Sequence, residues 1–135
     1  FSYKTRDQVM MNNANGYSLI KWANKNIDKN DKIISTNRSL SLFNVPAYYL
    51  VMLQYIDFSN SSSEIFSKFI REKKVNKILI QSNVNPGKFY NCRGKLLASK
   101  KNAGSLKGRN PFNVSKPYDA SIYEFDYSNF PKCLF

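Results

Sequence analysis

The spacing of apolar residues predicts an amphipathic helix near the start of the chain. Ile20, Ala23 and Ile27 recur at intervals of three and four residues, while lysine and asparagine fill most positions between them. A short polar turn follows, and then Lys32–Thr36, whose β-branched residues are typical of a strand. The pattern therefore predicts a helix, a turn and a buried strand within Tyr17–Asn37.

The same order of elements recurs later in the chain. Ser62–Lys74 carries apolar residues on one helical face, and Lys77–Ser82 is a short apolar run typical of a buried parallel strand. For the apolar stretch between the two units we predict a strand over Met52–Phe58, although a buried helix fits the pattern too. Two helix–strand units predict an α/β fold, with a small Rossmann-like parallel or mixed sheet and flanking helices.

The C-terminal half has a different character. Residues 84–117 hold most of the glycines and many lysines, which predicts a basic loop region with a short helix near Lys95–Lys101. Residues 120–127 alternate with a period of two, which predicts an edge strand whose aromatic face packs on the core. We expect one domain over residues 1–135, with its core at 17–83.

Charge is the most unusual property of the sequence. The formal net charge is +12, and no acidic residue occurs between Lys73 and Tyr118. Such a stretch creates a positive potential that attracts phosphate groups, on anionic lipid headgroups, on a lipid-linked phosphate or on nucleic acid. Few aromatic residues, among them Phe89, Tyr90 and Phe112, interrupt the basic stretch, which disfavours a stacking platform for single strands. Nucleic acid therefore ranks below the lipid partners.

Candidate binding residues follow from the charge and from the predicted strand ends. Ligands of open α/β sheets bind beyond the carboxyl ends of the strands, where loops carry polar side chains. The simpler alternative for all of them is ordinary polarity of loops and of a solvated face. The candidates for an anionic headgroup or a phosphate are Asn37, Arg38, Asn83, Lys88, Arg93, Lys95, Lys100, Lys101 and Arg109.

The sequence offers no catalytic constellation. Histidine is absent, which removes the usual general base and the commonest transition-metal ligand. The glycines match neither a dinucleotide-binding nor a P-loop pattern, so we predict no catalytic residue, no metal and no cofactor. Cys92 and Cys133 are either two buried thiols or one disulfide, and a disulfide would require an oxidising compartment.

Two stretches carry a resemblance to a known family. YSLIKWANKNIDKNDKIISTN and SEIFSKFIREKKVNKILIQSN, within Tyr17–Asn83, resemble the soluble C-terminal domain of polytopic GT-C glycosyltransferases. These are the bacterial relatives of protein mannosyltransferases and of lipid A aminoarabinose transferases. In such domains, a helix of the Trp-Ile-x-x-Asn type follows the last membrane span, and a strand, a tyrosine-rich segment and a second helix–strand come after it.

The resemblance implies a non-catalytic extracytoplasmic lobe, periplasmic or at the cell surface. Such a lobe would lie beside a membrane-embedded active site that uses a polyprenyl-phosphate sugar donor. Its partners would be the membrane-embedded part of the same protein and anionic lipid headgroups, and its role would be acceptor binding or docking at the membrane surface. Because the chain opens at Phe1 without an initiator methionine, we expect it to be a fragment of a longer protein. The alternative is a free-standing basic α/β module that binds nucleic acid.

Overall fold

A five-stranded mixed sheet forms the centre of the protein. The computed structural model describes residues 17–37, 39–50, 60–106 and 116–134. The strand order is β2-β1-β3-β5-β4, with β1 parallel to β2 and β3, and β5 antiparallel to β3 and β4. The elements are α1 (Tyr17–Asn24), β1 (Ile33–Ser35), β2 (Ala47–Tyr49), α2 (Asn60–Lys73), β3 (Lys77–Gln81), β4 (Arg93–Leu106) and β5 (Lys116–Phe125), with short 3₁₀ helices at Leu40–Leu42, Gly87–Cys92, Tyr127–Asn129 and Lys132–Leu134.

The two helices cover opposite faces of the sheet. Successive residues of a strand point to opposite faces, and Ile33 and Ile34 of β1 accordingly belong to different core clusters. Leu19, Ile20 and Ala23 of α1 pack in the cluster of Ile33, whereas Phe66 and Ile70 of α2 pack in the cluster of Ile34. The α/β fold with a mixed sheet and flanking helices is thus confirmed. So are both helix–strand units.

Two predictions about the C-terminal half are wrong. The loop with a short helix near Lys95–Lys101 is wrong, because these residues lie within β4, a strand of 14 residues. The predicted edge strand is also wrong in its position. It is β5, which lies between β3 and β4 and buries Ile122 on one face and Phe125 on the other. The edge strand on this side of the sheet is β4.

The sequence of β4 hides its strand character for a physical reason. The pairing of β4 with β5 shifts register between Arg93 and Leu96, between Leu96 and Ala98, and between Lys100 and Gly104. Each shift interrupts the alternation of inward and outward side chains from which a strand is recognised. Lysines and bulges are also the features by which proteins keep an edge strand from pairing with another chain.

The first strands agree with the sequence only in part. The predicted strand at Met52–Phe58 lies outside the described residues, and β2 is formed by Ala47–Tyr49 instead. Its three residues are only half-buried, because β2 is the other edge of the sheet. Pro46 directly precedes β2, and its carbonyl accepts a hydrogen bond from the N–H of Ile33.

A disulfide closes the C-terminal half. Cys92 and Cys133 are joined with an S–S distance of 2.05 Å, and their sequence separation is 41 residues. Both are buried among Phe89, Phe125 and Phe130. The bond therefore attaches the last turn of the chain to the residue that precedes β4.

We predict that reduction of this bond destabilises the protein markedly. A closed loop of this length stabilises the fold by about 4 kcal/mol in the chain-entropy model, because the reduced unfolded chain regains its conformational freedom. Urea unfolding with and without a thiol reductant measures the difference. The double variant Cys92→Ala/Cys133→Ala should be indifferent to the reductant, and an equal free energy of unfolding for the oxidised and reduced wild type would contradict the prediction.

A buried carboxylate aligns the two helix–strand units. Asp31, which is 4% exposed, accepts hydrogen bonds from the Asp28 N–H (2.7 Å), Asn76 Nδ2 (2.9 Å) and Lys77 Nζ (2.6 Å). Asn76 Oδ1 accepts a further bond from the Lys32 N–H at 2.9 Å. Burial raises the pKa of Asp31, but the hydrogen bonds and the charge of Lys77 outweigh it, so that the net pKa lies below its ordinary value.

The lowered pKa predicts an acid-dependent stability. The unfolded chain takes up the Asp31 proton at a higher pH than the folded chain, so stability is present above the ordinary aspartate pKa and is lost as the pH falls through the folded pKa. Asp31→Asn should cost about 3 kcal/mol at neutral pH, because it leaves Lys77 without its counter-ion. Unfolding free energies should fall less steeply below about pH 4 in this variant than in the wild type. Asp28→Asn, at an exposed position, is the matched control, and equal acid sensitivity of wild type and Asp31→Asn would refute the assignment.

Candidate functional site

Strand β4 presents a row of basic side chains. Arg93, Lys95, Lys100 and Lys101 are all exposed on this single element. Among the described residues, salt bridges join Lys68 to Glu72 and Lys77 to Asp31, and no carboxylate lies within 4.0 Å of the ammonium groups of the three β4 lysines. We call Lys95, Lys100 and Lys101 the β4 lysines. Their charge is available to an external anion.

Arg93 contacts aromatic rings, and no described carboxylate forms a salt bridge with it. The carbon of its guanidinium group lies 4.0 Å from the ring centroid of Tyr90 and 5.4 Å from that of Tyr123. Both distances are within the range of cation–π attraction. These contacts hold Arg93 against the surface at the start of β4.

The structure separates the other predicted binding residues from this row. Asn37 follows β1, which lies three strand spacings, about 14 Å, from β4. Asn37 is only 7% exposed, and it serves a local turn in which its Oδ1 accepts from the Ser39 N–H and its own N–H donates to Ser35 Oγ. It does not join the β4 residues in one site.

The remaining candidates lie on the connection between β3 and β4 or outside the described residues. Asn83 is exposed in the turn after β3, and Lys88 is exposed on the 3₁₀ helix Gly87–Cys92. Arg38 and Arg109 lie outside the described residues. Of the nine candidates, the structure brings four together on β4.

Sequence reasoning did not predict a cleft that lies beside Arg93. The cleft has a volume of about 270 Å³ and is situated where the end of β3 and the middle of β5 meet the turn and the 3₁₀ helix that follow β3. Apolar, aromatic and polar side chains contribute to its walls. The residues that line it include Gln81, Ser82, Tyr90, Asp119, Ser121 and Tyr123.

One wall of the cleft is fixed by paired hydrogen bonds. The Ser82 N–H donates to the carbonyl of Asp119 at 2.8 Å, and the Asp119 N–H donates to Ser82 Oγ at 2.9 Å. The Asp119 carboxylate also accepts from the N–H of Asn102, a β4 residue with a positive φ of 52°. Asp119 thus fastens the start of β5 to the end of β3 and to the irregular part of β4.

Gln81 is the polar group in this region that the fold leaves unsatisfied. The residue is 5% exposed, and no described residue offers a hydrogen bond to its Oε1. Its backbone N–H, by contrast, donates to Thr36 Oγ1 at 3.0 Å. The only sequence signal for this residue was a polar side chain at the end of an apolar strand. In α/β proteins, ligands bind beyond the carboxyl ends of such strands.

The described residues include neither a metal-binding cluster nor a membrane-spanning helix. In the four described ranges, no group of three or more Cys, Asp or Glu side chains is placed to hold a metal ion. Neither of the two helices described there has the length and apolar character needed to cross a membrane.

The fold and these surfaces define a small α/β domain that has a basic edge strand and an adjacent cleft. Over residues 11–135, the sequence matches the model of a family described as the DUF1420 C-terminal domain, and the chain belongs to that family. No curated protein and no solved structure matches it.

Proposed function

We propose that this chain is a non-catalytic extracytoplasmic lobe of a membrane glycosyltransferase, and that it docks on anionic lipid headgroups through the β4 lysines. The parent enzyme would transfer a sugar from a polyprenyl-phosphate donor. The lobe would fix the position of the membrane-embedded part relative to the lipid surface.

The observation that carries this proposal is the set of exposed lysines on β4, which is an edge strand of the described sheet and has no ion pair among the described residues. A lysine or arginine near an anionic membrane surface contributes about 1 kcal/mol of attraction. The three β4 lysines lie on a single extended element, Lys95 near its start and Lys100 and Lys101 near its middle, with no described carboxylate in ion-pair range. A flat lipid surface can contact such a row at several points at once.

Three further features support the proposal. The sequence order that resembles the glycosyltransferase lobes corresponds to two helix–strand units in a single sheet. The family to which the chain belongs is described as a C-terminal domain, which fits a lobe attached to a larger protein. The disulfide between Cys92 and Cys133 fits an oxidising, extracytoplasmic compartment.

We predict that the triple variant Lys95→Gln/Lys100→Gln/Lys101→Gln binds anionic vesicles roughly 100-fold more weakly than the wild type, since each lysine contributes about 1 kcal/mol. Co-sedimentation with vesicles of phosphatidylcholine plus phosphatidylglycerol measures the affinity, and vesicles of phosphatidylcholine alone give the baseline. The attraction should weaken as salt is raised, because both surfaces are exposed to solvent.

A charge-matched variant separates the proposed surface from net charge. Lys25→Gln/Lys29→Gln/Lys68→Gln removes the same number of exposed lysines, two from the segment that follows α1 and one from α2. It should retain most of the vesicle affinity. Equal losses in the two triple variants would contradict docking through β4. Tighter binding to duplex DNA than to the vesicles at the same salt concentration would favour the nucleic-acid module instead.

A further inference from the structure

We infer that Leu96 and Leu97 insert into the membrane to which the β4 lysines dock, at the boundary between the lipid headgroups and the acyl chains. This insertion rests on the proposed docking function and adds an apolar contact to the electrostatic one. Three observations support it: the exposed apolar side chains are concentrated at β4, the register with β5 positions the two leucines, and lysines flank them.

Exposed apolar side chains are concentrated at β4. In the part of the chain that the structure describes, the large hydrophobic side chains that remain exposed are Ile65, Tyr90, Leu96 and Leu97. Three of these four lie on β4 or on the 3₁₀ helix that leads into it. Single apolar residues are common on protein surfaces, whereas several close together indicate a contact with another apolar molecule or phase.

The pairing of β4 with β5 determines the surroundings of Leu96. Leu96 is 50% exposed and lies opposite Tyr123, on the face of the sheet that carries α2. Arg93 lies opposite Phe125 on the same face, and its guanidinium contacts the rings of Tyr90 and Tyr123. Leucine, tyrosine rings and a long cationic side chain are thus neighbours on one surface. This combination is typical of protein surfaces that lie in a membrane interface.

Leu97 lies at a bulge of the strand. The register of β4 passes from Leu96 to Ala98 while that of β5 advances by one residue, so Leu97 has no partner in β5. A bulge redirects a side chain out of strict alternation, and on an edge strand it hinders the addition of another strand. The bulge therefore places a second exposed leucine beside Leu96 without preparing β4 for pairing with another chain.

The charges beside the leucines favour lipid over protein or nucleic acid. One β4 lysine directly precedes the pair and two follow it closely. Lys100 lies opposite Ala120 and thus on the other face, but β4 is an edge strand, and a lysine side chain is long enough to reach round it. Lysine is depleted at the centres of protein interfaces, and leucine has no ring on which a base can stack. An anionic membrane offers both negative charge and an apolar interior.

The insertion is shallow. The outer edge of β4 carries backbone N–H and C=O groups that no other described strand pairs, and the hydrocarbon core does not tolerate such groups. In the headgroup layer, water and phosphate oxygens serve as their partners. Only the side chains of Leu96 and Leu97 therefore pass below that layer.

Substitution of the leucines tests the apolar contact. Leu96→Ser should weaken binding to vesicles of phosphatidylcholine plus phosphatidylglycerol roughly threefold, and Leu96→Ser/Leu97→Ser roughly tenfold, because less apolar surface leaves water on binding. Ile65→Ser is the matched control, since Ile65 is 61% exposed on α2, and it should bind as the wild type does. Equal affinities of Leu96→Ser and Ile65→Ser would overturn the inference.

The dependence on salt separates the leucines from the lysines. Burial of apolar surface is not screened, so the ratio of wild-type affinity to that of Leu96→Ser/Leu97→Ser should stay constant as NaCl is raised from about 0.1 to about 0.3 M. The corresponding ratio for the triple lysine variant should fall over the same range. A leucine ratio that falls in parallel with the lysine ratio would contradict insertion.

Fluorescence of Leu97→Trp reports the depth of the side chain. The vesicles carry bromine, a quencher, on their acyl chains, and the wild type, whose single tryptophan is Trp22 on α1, gives the background. Bound Leu97→Trp should be quenched more strongly than the bound wild type. Equal quenching would overturn insertion and leave docking by the lysines intact, whereas a wild type that binds no vesicles would overturn both.

A second copy of the chain is the competing occupant of this surface. Sedimentation velocity without vesicles should show the same species for the wild type and for Leu96→Ser. A wild-type dimer that Leu96→Ser dissociates would assign the leucines to an interface between copies and overturn the inference.

Discussion

The alignment of the sheet depends on one buried carboxylate. Asp31 precedes β1, and its two oxygens receive donors from the residues that begin β3, so the two parallel strands start at the same level. Asn76 extends the connection, because its carbonyl accepts the N–H of Phe125 at the far end of β5. Strands β1, β3 and β5, from distant parts of the chain, are thereby set in register at the end of the sheet where β1 and β3 begin. The other ends of these strands, where β3 ends at Gln81, are aligned as a consequence.

Strand β3 joins the parallel half of the sheet to the antiparallel half, so the alignment of β1 and β3 also determines the position of β5. It is paired on one side with β1 and on the other with β5, and Ile78 and Leu79 are fully buried on opposite faces. The two surfaces of functional interest both lie beyond β3, on β5, β4 and the connection to them. Arg93 links them physically, since it begins the basic strand and contacts two tyrosines of the cleft.

The sequence predicts the helix–strand half well, because there each apolar side chain has a single favourable environment. Leu19, Ile20 and Ala23 of α1, Phe66 and Ile70 of α2 and the apolar runs of β1 and β3 are buried as predicted. Two positions of the predicted apolar faces differ: Ile65 is 61% exposed, and α1 ends at Asn24, before Ile27. Prediction from the sequence fails for β4, because register shifts break the alternation of its side chains and its lysines face solvent along the edge of the sheet. The cleft was not predictable, because it requires the antiparallel pairing of β3 with β5, a long-range contact that no local pattern encodes. Tyr123 illustrates this: alternation assigned its ring to the core, yet the ring also forms a cleft wall.

The link between Cys92 and Cys133 also has a topological consequence. Strands β4 and β5 lie wholly between the two cysteines, so the hairpin is part of a covalently closed ring. A single peptide-bond cleavage anywhere inside that ring would leave both fragments joined through sulfur. The basic edge strand could thus be nicked once without being released from the rest of the domain, and its covalent release would require a second break, either in the disulfide or in another peptide bond of the ring.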